Sequence, residues 1–541
     1  MSRSPPAGNA RPAAGADDRS PVADAAVCVI GAGPAGALVA SRLAEAGHEV
    51  VVLDAGPRFS SEDHLARQER ALRPFYDFPA VWDGDPERDA HSTTGEWSYP
   101  LNQARVKGIG GTTLCWQGLV MRFHEDDFNS ESERGVGVDW PIDYSDLQPY
   151  YAEAEAELGV AGGDNPFGPP REEPRPMSGF DPSYSDSLFA EACDELEIAM
   201  HSVPTAINSE PYDGRSECVG FGTCKPVCPT GAKYDATVHI ERAEEAGATV
   251  IDRAAVQRLE HDAESVTAAV YATPDDEHRQ EADAFVVAAG GVETPRLLLL
   301  SDSDDYPDGL ANSSGLVGKF FMDHLFAGTG GLLDEPTRQG HIGFMTSECH
   351  QFYDDAGEEL NPFKLEFLNN DGPSPIELAL TGEDWGDDLL ERLQDDYGNH
   401  IGMGALVEQL PREDSYVGLD PERTDSFGNP VPDVHWNVDD RALRTIERAN
   451  ELQEQILDEL GVEITWQVGP DDTGPTSHHM GTTRMGEDPD ESVVDADCRT
   501  HDLDNCWIAS SSVFPTGGAM NPTLTIAALA LKCAESIDAA L

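Results

Sequence analysis

Three thiols, Cys218, Cys224 and Cys228, fall within eleven residues in the pattern C-x5-C-x3-C-P. The closing C-x3-C-P is shared with bacterial ferredoxin runs, whose thiolates bind iron. Gly220 and Gly222 permit tight turns between them. Three thiolates suit a 3Fe–4S cluster, which has three iron corners to ligate. The same spacing also admits zinc completed by a fourth ligand such as His239, or one disulfide and a free thiol. A second group is the adjacent pair His478 and His479. A neutral imidazole accepts protons near the operating pH of most enzymes, but spacing alone does not say which ring would act. A third is Asn521, whose amide can donate to a developing oxyanion. Asn followed by Pro522 is equally a good helix start.

These groups need a frame to hold them. Gly31-Ala32-Gly33-Pro34-Ala35-Gly36 follows an apolar run at 26–30 and opens an apolar-periodic stretch that ends at Gly47. A second apolar run at 49–53 is closed by Asp54. The pattern predicts strand, turn, helix and strand, the opening of a dinucleotide-binding fold. Gly31 makes the turn, Gly33 lets a pyrophosphate approach, and Gly36 lets helix pack on strand. Helix amides then face the phosphates, and Asp54 stands where an acid binds ribose hydroxyls. The motif does not separate FAD from NAD.

Further along, residues 145–158 predict a helix with Ser145 as N-cap and Gly159 as stop. Residues 161–182 are rich in Pro and Gly and predict a linker or long loop. A buried strand is expected at 282–289, and mixed strands and acidic loops at 331–440. A long amphipathic helix at 441–460 and a largely apolar one at 523–541 complete the reading. No internal repeat is visible. The first 24 residues are rich in Pro, Ala and Gly, predict a disordered tail, and show neither a signal peptide nor a twin-arginine pair.

The 541 residues include 35 Lys and Arg against 101 Asp and Glu, a formal charge of −66. That excludes a general nucleic-acid binder, which needs cations to displace counterions from phosphate. It also argues against docking on anionic lipid. No apolar run reaches the roughly 18 residues of a membrane helix. Hydrophobic content of 39 % together with 51 Gly is ordinary for a globular protein, so the acid is expected to coat the surface. With only 6 Lys against 29 Arg, the composition resembles that of proteins from salt-loving organisms, where concentrated salt screens self-repulsion.

Six segments in order, at 107–118, 140–160, 288–301, 317–324, 478–486 and 511–535, resemble signatures of the glucose–methanol–choline (GMC) oxidoreductases. KGIGGTTLCWQG, AAGGVETPRLLLLS, VGKFFMDH, HHMGTTRMG and SSVFPTGGAMNPTLTIAALALKCAE carry most of the likeness. The segment at 140–160 is similar to the pyranose-oxidase and sugar-dehydrogenase branch. The cysteine run resembles that of the iron–sulfur catalytic subunits of bacterial glucose, fructose and gluconate dehydrogenases. The resemblance implies FAD in an α/β fold. Its Rossmann-like flavin domain would be assembled from discontinuous segments, beside an α+β substrate domain with a mainly antiparallel sheet. Expected bounds are 1–24 for the tail, 25–130, 236–330 and 476–541 for the flavin domain, 131–235 for an insert with the cysteine loop, and 331–475 for the substrate domain.

By that resemblance His478, first in HxxGT, takes the role of base, and Asn521 steadies the substrate oxygen. Flavin contacts are implied at Gly31, Gly33, Pro34, Ala35, Gly36 and Asp54, and in the loop Gly110, Gly111, Thr112, Thr113 and Cys115. Others are implied at Val256, Ala289, Gly290, Ser511, Pro522 and Thr523. Related sugar enzymes often carry, at the place of Cys115, a histidine that in some bonds covalently to the flavin. Here non-covalent FAD is expected, with a cysteinyl link or a plain buried thiol as the other readings. Cys218, Cys224 and Cys228 would hold a 3Fe–4S cluster.

The expected activity is dehydrogenation of a CH–OH group in a sugar, polyol or sugar acid, with electrons leaving to a cytochrome, quinone or other protein. The alternatives are an oxygen-reducing alcohol or choline-type oxidase, a lyase using FAD as scaffold, and a non-catalytic subunit. The sequence points to the cytoplasm, while the related subunits often leave the cell with a small partner that carries the export signal.

Overall fold

Val27–Ile30, four residues with no exposed side chain, forms the middle strand of a five-stranded parallel sheet. A strand covered on both faces must be apolar throughout rather than alternating, and VCVI, VVVL and AFVV obey this. Across the sheet the order is Cys506–Ile508, Ala284–Val287, Val27–Ile30, Val50–Leu53, Thr249–Ile251. All four pairings are parallel. Helices Pro34–Ala46, Thr237–Glu245 and Thr523–Ala540 pack together beside it. The computed structural model describes residues 19–339, 342–354, 359–369 and 372–541.

The second layer is a six-stranded antiparallel sheet ordered Glu463–Val468, Leu325–Leu332, His400–Val407, Phe363–Phe367, Ser347–Cys349, His201–Ser202. Alternation sorts its faces. Phe363, Leu365, Phe367, Ile401, Met403 and Ala405 share a core with Ile446, Ala449, Leu452 and Ile456 of helix Asp440–Glu459. The intervening Glu348, Lys364 and Glu366 point the other way and are also buried. The molecule is therefore α/β, with a five-stranded parallel sheet and an antiparallel second sheet.

Some boundaries differ from expectation. The helix at 145–158 starts at Tyr144, because Asp143 rather than Ser145 is its N-cap. Asp146 accepts from the Asp143 backbone N–H at 2.9 Å. Gly159 ends that helix in the left-handed conformation, φ 69°. Of the expected tail, residues 1–18 lie outside the described residues. Residues 19–24 are not free: Arg19 donates to the Asp252 carbonyl at 2.9 Å, and the Val22 N–H donates to Gln280 at 2.8 Å. No described helix is long and apolar enough to cross a membrane.

Candidate active site

The carboxyl ends of the five parallel strands open on one long cleft. Gly31, Asp54, Ala254, Ala288 and Ala509, each just beyond a strand end, all line it. This is the edge where open α/β sheets bind ligands. At one end helix Pro34–Ala46 begins at Gly33 with no side-chain cap, so its first amides are free to meet an anion. A Cβ on Gly33 or on Gly290 would meet no protein atom within 4 Å; at both, the missing side chain leaves cleft space. Gly36 packs instead: a Cβ there would lie 2.0 Å from the Gly31 carbonyl oxygen. Asp54 accepts from the Ala32 N–H and the Gly56 N–H, each at 2.9 Å, one on each oxygen. It pins the turn as well as facing the cleft.

Pro34, Ala35, Gly111, Thr112, Thr113, Cys115, Val256, Ala289, Ser511, Pro522 and Thr523 also line the cleft. Gly110 does not. Its N–H donates to the Ala32 carbonyl at 3.0 Å, tying the 107–118 loop to the glycine turn. Thr113 is occupied as well, accepting from the Ala236 N–H at 2.9 Å and donating to the Gly110 carbonyl at 2.5 Å. Burial pushes the Cys115 thiol above its ordinary value, so it stays protonated and a poor nucleophile. A mononucleotide half on the uncapped helix and a planar ring system toward His478 both fit this donor set and shape, and FAD fits the cleft.

At the far end His478 and Asn521 meet, with Asn521 Nδ2 3.4 Å from His478 Nε2. Proton positions follow from the neighbours. His324 Nε2 lies 2.8 Å from the Gly518 carbonyl and 3.3 Å from that of Gly517. Carbonyls only accept, so His324 carries its proton on Nε2. Its bare Nδ1 then accepts from His478 Nδ1, 2.8 Å away. That leaves a lone pair on His478 Nε2, on the side of Asn521 and the cleft. Thr476 Oγ1 also lies 2.9 Å from His478 Nδ1. Asp323 fixes the backbone beneath, accepting from the N–H groups of Thr476, Ser477 and His478 at 2.9 to 3.2 Å and from the Tyr99 hydroxyl.

Burial, followed by the neighbouring His324, holds His478 well below the ordinary imidazole value. Burial, aided by the Lys364 charge, brings His324 to about 4 and, with Arg105, His479 to about 3. It lifts Asp323 to about 6 against its hydrogen bonds. His479 packs against Tyr99 and Phe321, and its carbonyl takes the Ser511 hydroxyl at 2.5 Å. Its position is that of a packed ring. Asn521 does not cap: the last helix starts at Thr523 with Pro522 as N-cap. The buried Asn521 Oδ1 has no hydrogen-bond partner among the described residues.

His324 and Asp323 escaped the sequence reading, although they end the quoted run VGKFFMDH. The signal was a polar pair closing an apolar segment, but nothing in spacing links 324 to 478.

Cys218, Cys224 and Cys228 sit on one loop as free thiols. Burial raises Cys224 to about 12, with Cys228 and Cys218 adding to the effect. Three half-buried thiols on one loop are the donor type an iron–sulfur cluster takes. The zinc reading through His239 fails. His239 Nδ1 faces the Tyr234 hydroxyl at 2.8 Å and its Nε2 faces Glu157 at 3.2 Å, so the ring is already committed. The loop borders the cleft: Lys225, next to Cys224, lines it. Beneath, buried Lys233 donates to the carbonyls of Leu114, Trp116 and Cys224 at 3.2, 2.6 and 2.8 Å. One ammonium thus joins the cysteine loop to the 107–118 loop.

Family models for GMC oxidoreductase match residues 100–326 and 411–530, and one for an NAD(P)-binding Rossmann-like domain matches 29–70. The chain belongs to the GMC oxidoreductase family and is an FAD-dependent oxidoreductase. It is 35 % identical to the fructose dehydrogenase large subunit of Gluconobacter japonicus, over 94 % of this chain and 97 % of that one. It is 31 % identical to the 2-methyl-1,2-propanediol dehydrogenase of Mycolicibacterium austroafricanum, over 95 % of each. Its fold matches the crystal structure of pyridoxine 4-oxidase from Mesorbium loti with a TM-score of 0.67 at 19 % identity, over 95 % of this chain and 99 % of that one.

Proposed function

We propose that the chain is a dehydrogenase for a CH–OH group of a sugar, polyol or sugar acid, with a 3Fe–4S cluster as its electron exit. The observation that carries this is the ordered pair His324–His478, which leaves a lone pair on His478 Nε2 beside the Asn521 amide in the cleft. In this reading His478 Nε2 takes the hydroxyl proton as the C–H bond opposite weakens. The Asn521 amide donates to the developing alkoxide oxygen. His324 keeps the imidazole in the accepting tautomer, and Asp323 holds the 476–478 backbone against it. FAD, when bound, supplies the hydride acceptor. Gly31, Gly33 and the uncapped helix hold its pyrophosphate, and Asp54 a ribose.

The dehydrogenase reading rests on the cysteine loop beside the cleft and on the two relatives named for dehydrogenation. A cluster held by Cys218, Cys224 and Cys228 supplies one-electron transfer out of a two-electron site. The relative named as a large subunit supports assembly with further subunits, among them a small export partner and a cytochrome or quinone-linked acceptor. The acid-rich, Lys-poor composition supports work at high salt.

Anaerobic mixing with fructose, gluconate and simple polyols tests the reaction. At least one should bleach the flavin absorption in the wild type and not in His478→Ala. Peroxide released in step with substrate loss in air would overturn the dehydrogenase reading in favour of an oxidase.

A further inference from the structure

A second cluster of donors lies in the antiparallel sheet. His201 and Glu348 are cross-strand partners in adjacent strands, so their side chains emerge side by side on one face. His350 follows Glu348 by two positions and continues along that face. One ligand atom from each of the three falls within 4.8 Å of the others. The residues are 7 %, 0 % and 3 % exposed. His201 Nε2, Glu348 Oε1 and His350 Nε2 are buried with no hydrogen-bond partner among the described residues. Leaving His201 Nε2 bare, with the other two atoms meeting only each other at 3.1 Å, is costly.

We propose that His201, Glu348 and His350 bind one first-row divalent cation of the zinc type, which fastens the His201–Ser202 strand to the sheet. Two imidazoles and one carboxylate are the donor set such ions take. The spacing agrees. His350 Nε2 and Glu348 Oε1 stand 3.1 Å apart yet are not aligned for a hydrogen bond. Two ligands at about 2.0–2.1 Å from a tetrahedral ion lie roughly 3.3 Å apart.

The surroundings prepare two of the donors. His201 Nδ1 lies 3.2 Å from the Ser202 carbonyl; that contact keeps the proton on Nδ1 and bares Nε2. Lys364 Nζ takes the other oxygen of Glu348 at 3.0 Å and is balanced by Glu366, also at 3.0 Å. Glu348 Oε1 is therefore left facing the histidines, and Glu348, Glu366 and Lys364 sum to one negative charge. His350 is the donor that must adjust. The Asn165 amide nitrogen sits 3.1 Å from its Nδ1 while the amide oxygen is held by the Phe167 N–H at 2.9 Å, so loading moves the ring proton from Nε2 to Nδ1 and displaces that amide from the ring. A fourth imidazole, His124, stands alongside with its ring centre 5.8 Å from that of His350. It is oriented by Asp354 at 3.2 Å, and its Nε2 also lacks a partner.

The site is sealed, so the ion enters during folding. The test is to express the full chain in Co²⁺-supplemented minimal medium and measure cobalt by mass spectrometry and visible absorption. The same is done for His201→Ala, Glu348→Gln, His350→Ala and a triple Cys218→Ser/Cys224→Ser/Cys228→Ser variant. The proposal expects about one cobalt per chain in the wild type and the triple variant. It expects at least about a tenfold drop in each single variant, with bound flavin as the check on folding. X-ray absorption at the cobalt edge of the triple variant needs no change at the site itself, and should show imidazole and oxygen neighbours without sulfur. Cobalt absent from the wild type, cobalt retained in all three single variants, or cobalt lost with the cysteines would overturn the proposal. The cluster would then be a buried His–Glu polar contact.

Discussion

His478 acts in the proposed chemistry only through the proton it lacks, so its replacement should be severe and local. His478→Ala is expected to slow flavin reduction by about 10²–10⁴-fold, the range for a lost general base. FAD content should stay unchanged, as read by stopped-flow absorption. Asn521→Ala removes one donor to the oxyanion and should cost about 10²–10³-fold in kcat, with the smaller effect on KM. His324 touches no cleft atom in this scheme and is a positioning residue. His324→Leu leaves His478 Nδ1 only the Thr476 hydroxyl as partner and should lower kcat by at least about tenfold, while the alkaline region of the pH profile keeps its shape. Because burial depresses the His478 pKa, the base is neutral through the physiological range. The acid limb of kcat/KM should therefore lie below the ordinary imidazole value of about 6.5; a limb at or above it would remove His478 from the role.

The elements behind these residues were legible to very different degrees. Strand, glycine turn, helix and Asp54 could be read because all lie within 28 consecutive residues and each obeys a local rule of period or turn. The parallel sheet's outer strands could not be ordered, since Thr249–Ile251 and Cys506–Ile508 join it from far along the chain. The GMC signatures supplied what local rules did not, placing His478 in its motif. They did not reveal the His324–His478 contact, because a hydrogen bond across 154 residues leaves no periodicity. The same holds for Lys233, which reads as one more charged residue until its three carbonyl partners are seen. At the cysteine loop, replacing Cys218, Cys224 and Cys228 by Ser should abolish acid-labile sulfide and about three irons per chain. Reduction of a two-electron dye by substrate should persist. Iron unchanged in that variant would remove the cluster from the loop.

The whole molecule answers to charge and pH. Helix Asp387–Asp396 has no buried residue, as suits a solvated acidic coat. Yet acids are not confined to the surface: Glu155 and Glu408 are buried against Arg122 and Arg134 at 2.9 and 3.2 Å. With a charge of −66, unfolding midpoints should rise steadily from dilute buffer to molar KCl as the screening length falls from about 10 Å to about 3 Å. A midpoint indifferent to salt would end the high-salt reading. Acid should destabilise. His324 near 4, His479 near 3 and His478 far below its ordinary value stay neutral when folded but gain protons on unfolding below about 6.5. Stability carried by these three is thus lost as pH falls from about 6.5 toward 4. Asp323, raised to about 6, opposes them with a single proton in part of the same window. The urea midpoint at pH 5 should therefore lie below that at pH 7.

The order of the parallel sheet also has a consequence in time. Ala284–Val287 lies between Val27–Ile30 and Cys506–Ile508, and these last three residues leave the ribosome only after some 220 more have been added. At about 5–20 residues per second that takes roughly ten to forty seconds. Throughout it, AFVV is an open, apolar edge of the kind that recruits other strands. The nascent chain is most exposed to aggregation in that interval, and the cleft cannot close around its dinucleotide until Cys506–Ile508 and the cleft-lining Asn521–Thr523 have been made.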